Sequence, residues 1–336
     1  LRLWGLIHPL ADSLKLATKE DFVPPRAHQL VYTLAPMLAL VPVLLVFAVI
    51  PFGPPVMLDQ LGTVLPAARE DLGAVVAASK AAGDYHLLQV AHIDIGILFV
   101  FAIASLSVYG ASLAGWASFN TYGLLGGLRA SAQMFSYEIT MGMAVMGAFL
   151  VYGTLEPMAV VQKQASLGQW GIVTQPLGFL LFFFAAIAET KRAPFDLPEG
   201  ESEIVGYFVE YSGARFMMFY LGEFVEIVFV ACLVTTLFFG GWQVPGLGPD
   251  GFHQFLFWKV DWSLSHFWVV VLQMLAFMAK AFILCFLQLT IRWSVPRMRY
   301  DQLMKLGWKG LLPASLINVV ITAGIVLWSQ ASTAVR

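Results

Sequence analysis

FYLGEFVEIVFVACLVTTLFF, running from Phe219 to Phe239, is apolar and long enough to cross a bilayer, which takes about 20 residues. It holds no lysine or arginine, yet it carries Glu223 and Glu226, three residues apart and so on one face of a helix. An ionised carboxylate at membrane depth costs about 2.5 to 3.5 kcal/mol on insertion scales, and such groups usually face a cavity, a partner or an ion path. Structural hydrogen bonding between helices is the plainer alternative, and Lys280, inside another apolar run, could neutralise one of these acids.

Similar runs recur at about 30–50, 93–114, 132–153, 172–188, 267–291 and 311–329, which with 217–239 predicts seven crossings. Composition agrees: of 336 residues, 59% are hydrophobic and 12% charged, against about 25% charged in a soluble domain. The mean hydropathy is +0.77. The fold class expected is an all-α polytopic integral membrane protein. Ahead of the first span, Leu3, Ile7, Leu10 and Leu14 recur at helical spacing, with Asp12, Lys15, Lys19 and Glu20 largely off that stripe. This predicts an amphipathic interfacial segment over 1–29, followed by one transmembrane domain over 30–336.

Lysines and arginines sort by side. Arg2, Lys15, Lys19, Arg26, Arg129, Lys191, Arg192, Arg215, Arg292, Arg297, Arg299, Lys305 and Lys309 fall on one face, and Arg69, Lys80, Lys163, Lys259 and Arg336 on the other. By the positive-inside rule the observed N-terminus is expected in the cytoplasm and the C-terminus outside, in a bacterial-type inner membrane. The chain opens on Leu1 and residues 1–20 lack the apolar core of a signal peptide, so we expect an N-terminal truncation. The outside loop 51–92, with AAREDLGAVVAASKAAG, is expected to form one or two short surface helices.

Several functions are excluded or unsupported. A net charge of -2 with dispersed basic residues gives no field for nucleic acid. Cys232 and Cys285 lie in apolar spans with no Cys-x-x-Cys pair, and the six histidines show no ligand spacing, so no metal site is expected. No Gly-x-Gly-x-x-Gly, Walker, Gly-x-Ser-x-Gly or His-Glu-x-x-His motif occurs.

The densest chemistry lies in ETKRAPFDLPEGESEIVGYFVEY, residues 189–211, where Glu189, Asp196, Glu199, Glu201, Glu203 and Glu210 accompany only Lys191 and Arg192. Crowding like charge at a low-dielectric boundary raises carboxylate pKa values. A solvated turn is the alternative, marked by Pro194, Pro198 and Gly200. Glu138, followed by an apolar run in SYEITMGMAVMGAFLVYG, joins Glu223 and Glu226 as an intramembrane carboxylate.

With these residues in view, the chain resembles the complex I membrane subunit that joins the peripheral arm to the proton-pumping modules. HPLADSLKLATKED (8–21), LAGWAS (113–118), YGLLGGLRASAQMFSYE (122–138), ETKRAPFDLPEGESE (189–203), VEYSGARF (209–216), TTLFFGGW (235–242) and IRWSVPRMRYDQLMKLGWK (291–309) match its signatures in order. The resemblance implies a chamber admitting ubiquinone or menaquinone, with no redox centre in this chain. NAD, FMN and iron-sulfur clusters would sit in partner subunits. It places Arg192, Asp196, Glu199, Glu201, Glu203 and Glu210 at the quinone chamber, in the acidic cytoplasmic loop 189–216. Glu138, Glu189 and Glu223 would continue a proton path into the membrane, and Arg292, Arg297, Arg299 and Asp301 would dock the peripheral arm.

Two departures stand out. Ser105 in ASLSVYG replaces a glutamate that some bacterial members carry, and the family's first helix and Arg-rich loop are expected ahead of Leu1. Three other classes stay open: a membrane-bound hydrogenase-type subunit, a stand-alone ion transporter and a structural membrane anchor. Inverted repeats, which a transporter often shows, are not found.

Overall fold

The computed structural model describes residues 7–54, 56–57, 85–86, 88–200, 204–248, 251–252, 262–264 and 266–334. Helix α1 (His8–Thr18) starts with a proline in its first turn and leaves Ile7, Leu10 and Leu14 on an outward face, as an interfacial helix would. The long helices are α2 (Gln29–Val46), α3 (Gly96–Ala117) and α4 (Thr121–Tyr152). After the short α5 (Pro157–Leu167) and the single turn α6 (Gly171–Thr174) come α7 (Pro176–Glu189), α8 (Gly213–Phe238) and α9 (His266–Ser294). The chain closes with α10 (Tyr300–Lys305), which runs through a π-helical stretch, Leu306–Leu311, into α11 (Leu312–Ala334).

Among the described residues, six helices are long and apolar enough to cross a membrane, and the seventh predicted crossing is the shorter α7. Its 14 residues rise about 21 Å, less than the roughly 30 Å hydrocarbon core. Gln175 and Pro176 are the reason, because they break the helix after α6 and restart it. Helix α4 begins well before the predicted 132, since Asn120 caps it by accepting from the Tyr122 amide at 3.0 Å. It ends on Gly153, whose φ of 60° is left-handed.

Helix α4 is the hub, packed against α3, α7 and α11, while α2 bridges α3 and α8. Small residues allow the close crossings: a Cβ on Gly110 would sit 2.6 Å from the Ala39 amide nitrogen. The core joins Val46, Ile97, Tyr137, Ala144, Phe182, Val234 and Phe277, contributed by α2, α3, α4, α7, α8 and α9. Phe282, Val320 and Trp328 face outward, as expected of surfaces solvated by lipid or another apolar chain. The short surface helices expected in loop 51–92 fall mostly on residues outside those described. At that loop's ends, two-residue strands Val56–Met57 and Tyr85–His86 pair antiparallel, and three more form a small sheet before α9, none of them legible in the sequence.

Candidate functional site

The segment between α7 and α8 is a folded wall, held from several sides. Gln133, fully buried on α4, donates from Nε2 to the carbonyls of Ala188 (2.7 Å) and Phe195 (2.9 Å), fixing both ends of the turn that carries Arg192. The Met298 amide donates to the Pro194 carbonyl at 3.2 Å, and Arg297 donates to the Asp196 carbonyl. At the far end, Gly126 of α4 lets the Tyr207 backbone approach: a Cβ there would lie 2.9 Å from the Tyr207 nitrogen. Tyr211 stacks on Tyr32 of α2 with centroids 4.0 Å apart.

Against this wall sits a buried ionic cluster. Arg192 Nη2 lies 2.8 Å from Glu223 Oε2, and both side chains are buried. The guanidinium stands 4.7 Å from the Phe224 ring centroid and 5.0 Å from that of Tyr220. Burial opposes the charge on Arg192, but Glu223, Glu199 and Tyr220 outweigh it and hold the group protonated. Desolvating two ions costs several kcal/mol each, so such a pair adds little net stability and works mainly as an oriented charge. The Tyr207 hydroxyl donates to Glu223 Oε1 at 3.3 Å, with Lys191 Nζ 5.8 Å from the Tyr207 ring centroid.

Glu199 hydrogen-bonds to Glu223, and its carboxyl is raised far above the usual carboxylate range, first by burial and then by that bond and the charges of Glu223 and Asp196. Burial and the like charges beside it favour its protonated form. Asp196 is pushed up to about 6 by burial, against the pull of Arg297. Deeper, Glu226 lies on the same face of α8 as Glu223, one turn on, and is also buried. Glu226 and Glu138 both act electrostatically on Glu189, at the end of α7. Glu138 accepts a hydrogen bond from Ser105 Oγ.

A cavity separates Glu189 from Glu226, walled by Val46, Val100, Phe101, Met141, Phe229 and Leu233 among others. Its empty volume is ≈ 430 Å³. The two carboxyls are the polar groups in an otherwise largely apolar wall. Carboxyls and a phenol thus follow one another from the loop wall toward the middle of the bundle.

The structure thus brings Arg192, Asp196, Glu199 and Glu223 into one cluster and continues it toward Glu189 and Glu138. Glu210 stands apart: its Oε1 accepts from Asn120 Nδ2 at 2.8 Å. Glu201 and Glu203 lie outside the described residues. Arg299 and Asp301 are exposed at the start of α10, where Arg299 is the N-cap residue. Arg297 reaches back to the acidic segment, and Arg292 acts electrostatically on Asp196. Among the described residues Lys280 pairs with none of the acids; it donates to the carbonyls of Phe239 (2.8 Å), Gly241 (3.0 Å) and Gln243 (2.6 Å), closing the end of α8.

Residues 2–323 match the family model described as NADH dehydrogenase. The chain belongs to this family. It is 42% identical to an NADH-quinone oxidoreductase subunit of Geobacter metallireducens over 96% of this chain and 83% of that protein. It is 41% identical to the corresponding protein of Protochlamydia amoebophila (95% and 84%) and 39% identical to that of Streptomyces avermitilis (96% and 64%). As a member of the NADH dehydrogenase family at this level of identity, the chain is a multi-pass membrane subunit of the proton-translocating NADH:quinone oxidoreductase complex.

Three members of the site in this NADH dehydrogenase family chain, Glu226, Lys191 and Tyr207, were not placed in it by the sequence. Glu226 was visible as the partner of Glu223 at helical spacing, but nothing in the sequence tied it to Glu189. Lys191 and Tyr207 carry no motif of their own. The positive φ of 55° at Lys191 belongs to the turn that presents its ammonium to the carboxylates.

Proposed function

We propose that the acidic segment frames the quinone-binding chamber of this subunit, and that Glu199, Glu223, Glu226, Glu189 and Glu138 carry the proton response from it into the membrane. The observation that supports this reading is the contact of Glu199, in the loop wall, with Glu223, the first carboxylate of the buried line. Reduction of a quinone to a quinol takes up two electrons and two protons. A protonated Glu199 beside an Arg192–Glu223 pair is suited to release its proton and have the charge change felt along α8. These acids titrate as a coupled group, so the response belongs to the cluster rather than to one residue.

The quinone is ubiquinone or menaquinone, and the exposed surface of Arg299 and Asp301, with Arg292 and Arg297, receives the peripheral-arm subunits. Electron carriers are supplied by those partners, and this chain holds none. The acidic face looks toward the cytoplasm of a bacterial-type inner membrane, with the C-terminus outside.

The test is Glu199→Gln and Glu223→Gln in the intact complex. Quinone-linked NADH oxidation and proton pumping should fall sharply, while NADH oxidation by a hydrophilic artificial acceptor persists. Unchanged turnover and pumping in both variants would reject the assignment.

A further inference from the structure

No two of the six histidines show ligand spacing along the chain, yet the fold brings one of them to two carboxylates from different segments. His92 and Asp94 lie in the stretch entering α3, and Glu156 is the N-cap residue of α5. One ligand atom from each lies within 4.8 Å of the other two. The acidic segment meets the α3–α4 turn through Asn120 and Gly126, so this cluster, at the start of α3 and beyond the end of α4, occupies the opposite end of the bundle.

The two segments are fixed in place. The Ile97 amide donates to the Leu155 carbonyl at 3.1 Å and the Ala91 amide to the Ala48 carbonyl at 2.8 Å. A Cβ on Gly96 would meet Pro157 Cδ at 2.8 Å, so the two backbones are already in contact. Preplaced ligands lower the cost of assembling a metal site.

His92 Nδ1 and Glu156 Oε1 stand 3.4 Å apart. That is long for an N–H···O hydrogen bond, whose usual length is about 2.9 Å. It matches the spacing of two ligands about 2.0–2.1 Å from a shared tetrahedral zinc ion, roughly 3.3–3.4 Å. Both atoms are shielded from solvent and have no hydrogen-bond partner. Asp94, by contrast, is exposed, which leaves an open side for a cation to arrive and for water to complete the coordination.

We propose that His92, Asp94 and Glu156 bind a divalent cation of the zinc class, through one imidazole nitrogen and two carboxylate oxygens. Two carboxylates and a neutral imidazole balance a 2+ charge, and the nitrogen favours zinc over magnesium, which prefers oxygen ligands. The ion clips the loop that precedes α3 to the α4–α5 turn. A protonated His92 would instead make a simple ion pair with Glu156, and the measurement below separates the two.

The experiment uses the full chain in detergent, with Zn²⁺ itself as the probe. Equilibrium dialysis should give one Zn²⁺ per chain, and zinc-edge X-ray absorption should show imidazole and oxygen ligands without sulfur. His92→Ala and Glu156→Gln should each weaken Zn²⁺ affinity by about tenfold or more. Asp94→Asn, at an exposed position where folding is undisturbed, should also weaken it, and helical content is followed by circular dichroism in every variant. Absence of stoichiometric zinc in the wild type, sulfur ligation, or undiminished affinity in Asp94→Asn and Glu156→Gln each overturns the proposal.

Discussion

Replacing Gln133 with leucine removes two hydrogen bonds and little volume. The lost bonds are those from Nε2 to the carbonyls of Ala188 and Phe195, at 2.7 and 2.9 Å in a fully buried setting. At about 0.5–1.5 kcal/mol net for each, the closed loop should lose about 1–3 kcal/mol. The Oε1 atom of Gln133 has no partner of its own, so deleting it returns part of the desolvation cost and favours the lower half of that range. At about 1–2 kcal/mol and RT of about 0.6 kcal/mol, local opening should become roughly 5- to 30-fold more frequent. Hydrogen exchange followed by mass spectrometry reads this directly, through the amides of residues 190–200, and quinone-linked turnover should fall with it. Unchanged exchange in that peptide, or an equal acceleration in α9 and α11, would refute the idea that Gln133 specifically holds the wall.

In Asp196→Asn the group that titrates at about 6 is gone. Because burial raises this carboxyl above its ordinary value, its stabilising effect is complete below about pH 4 and is lost as pH rises through about 6. Thermal unfolding across that window should slope downward with pH in the wild type and more weakly in the variant; parallel slopes would count against the assignment. Lys280→Met leaves the three carbonyls at the end of α8 without their charged donor, and should cost about 2–4 kcal/mol, seen as a lowered Tm in detergent. A Tm equal to that of the wild type would mean those carbonyls find water.

The membrane architecture was legible because seven apolar runs leave few other ways to satisfy the backbone in lipid. The ends were less so. The first turns of α4 hide in YGLLGGLRASA, where glycine, serine and Arg129 lower hydropathy although Gly123, Gly126 and Gly127 are buried against neighbouring helices. The start of the last long helix at Tyr300 was hidden in the same way by Arg299, Asp301 and Lys305. Individual acids could be picked out by depth and density, but their partners could not. That Glu199 meets Glu223, Glu226 faces a shared cavity with Glu189, and Lys280 serves carbonyls is decided by how α4, α7, α8 and α9 cross, and no local pattern encodes it.

The length of α4 has a mechanical consequence. Its 32 residues form an unbroken rod of about 48 Å that carries Gly126, Gln133, Tyr137 and Glu138 within its first 18 residues and ends near Glu156. A rod of that length, pivoted at one end, swings its other tip by about 4 Å for a five-degree lean. A lean of the rod driven by the proline-rich wall at Gly126 or Gln133 would therefore reach the far face of the bundle as a displacement of α4 as a whole, resisted by α3, α7 and α11, against which it packs.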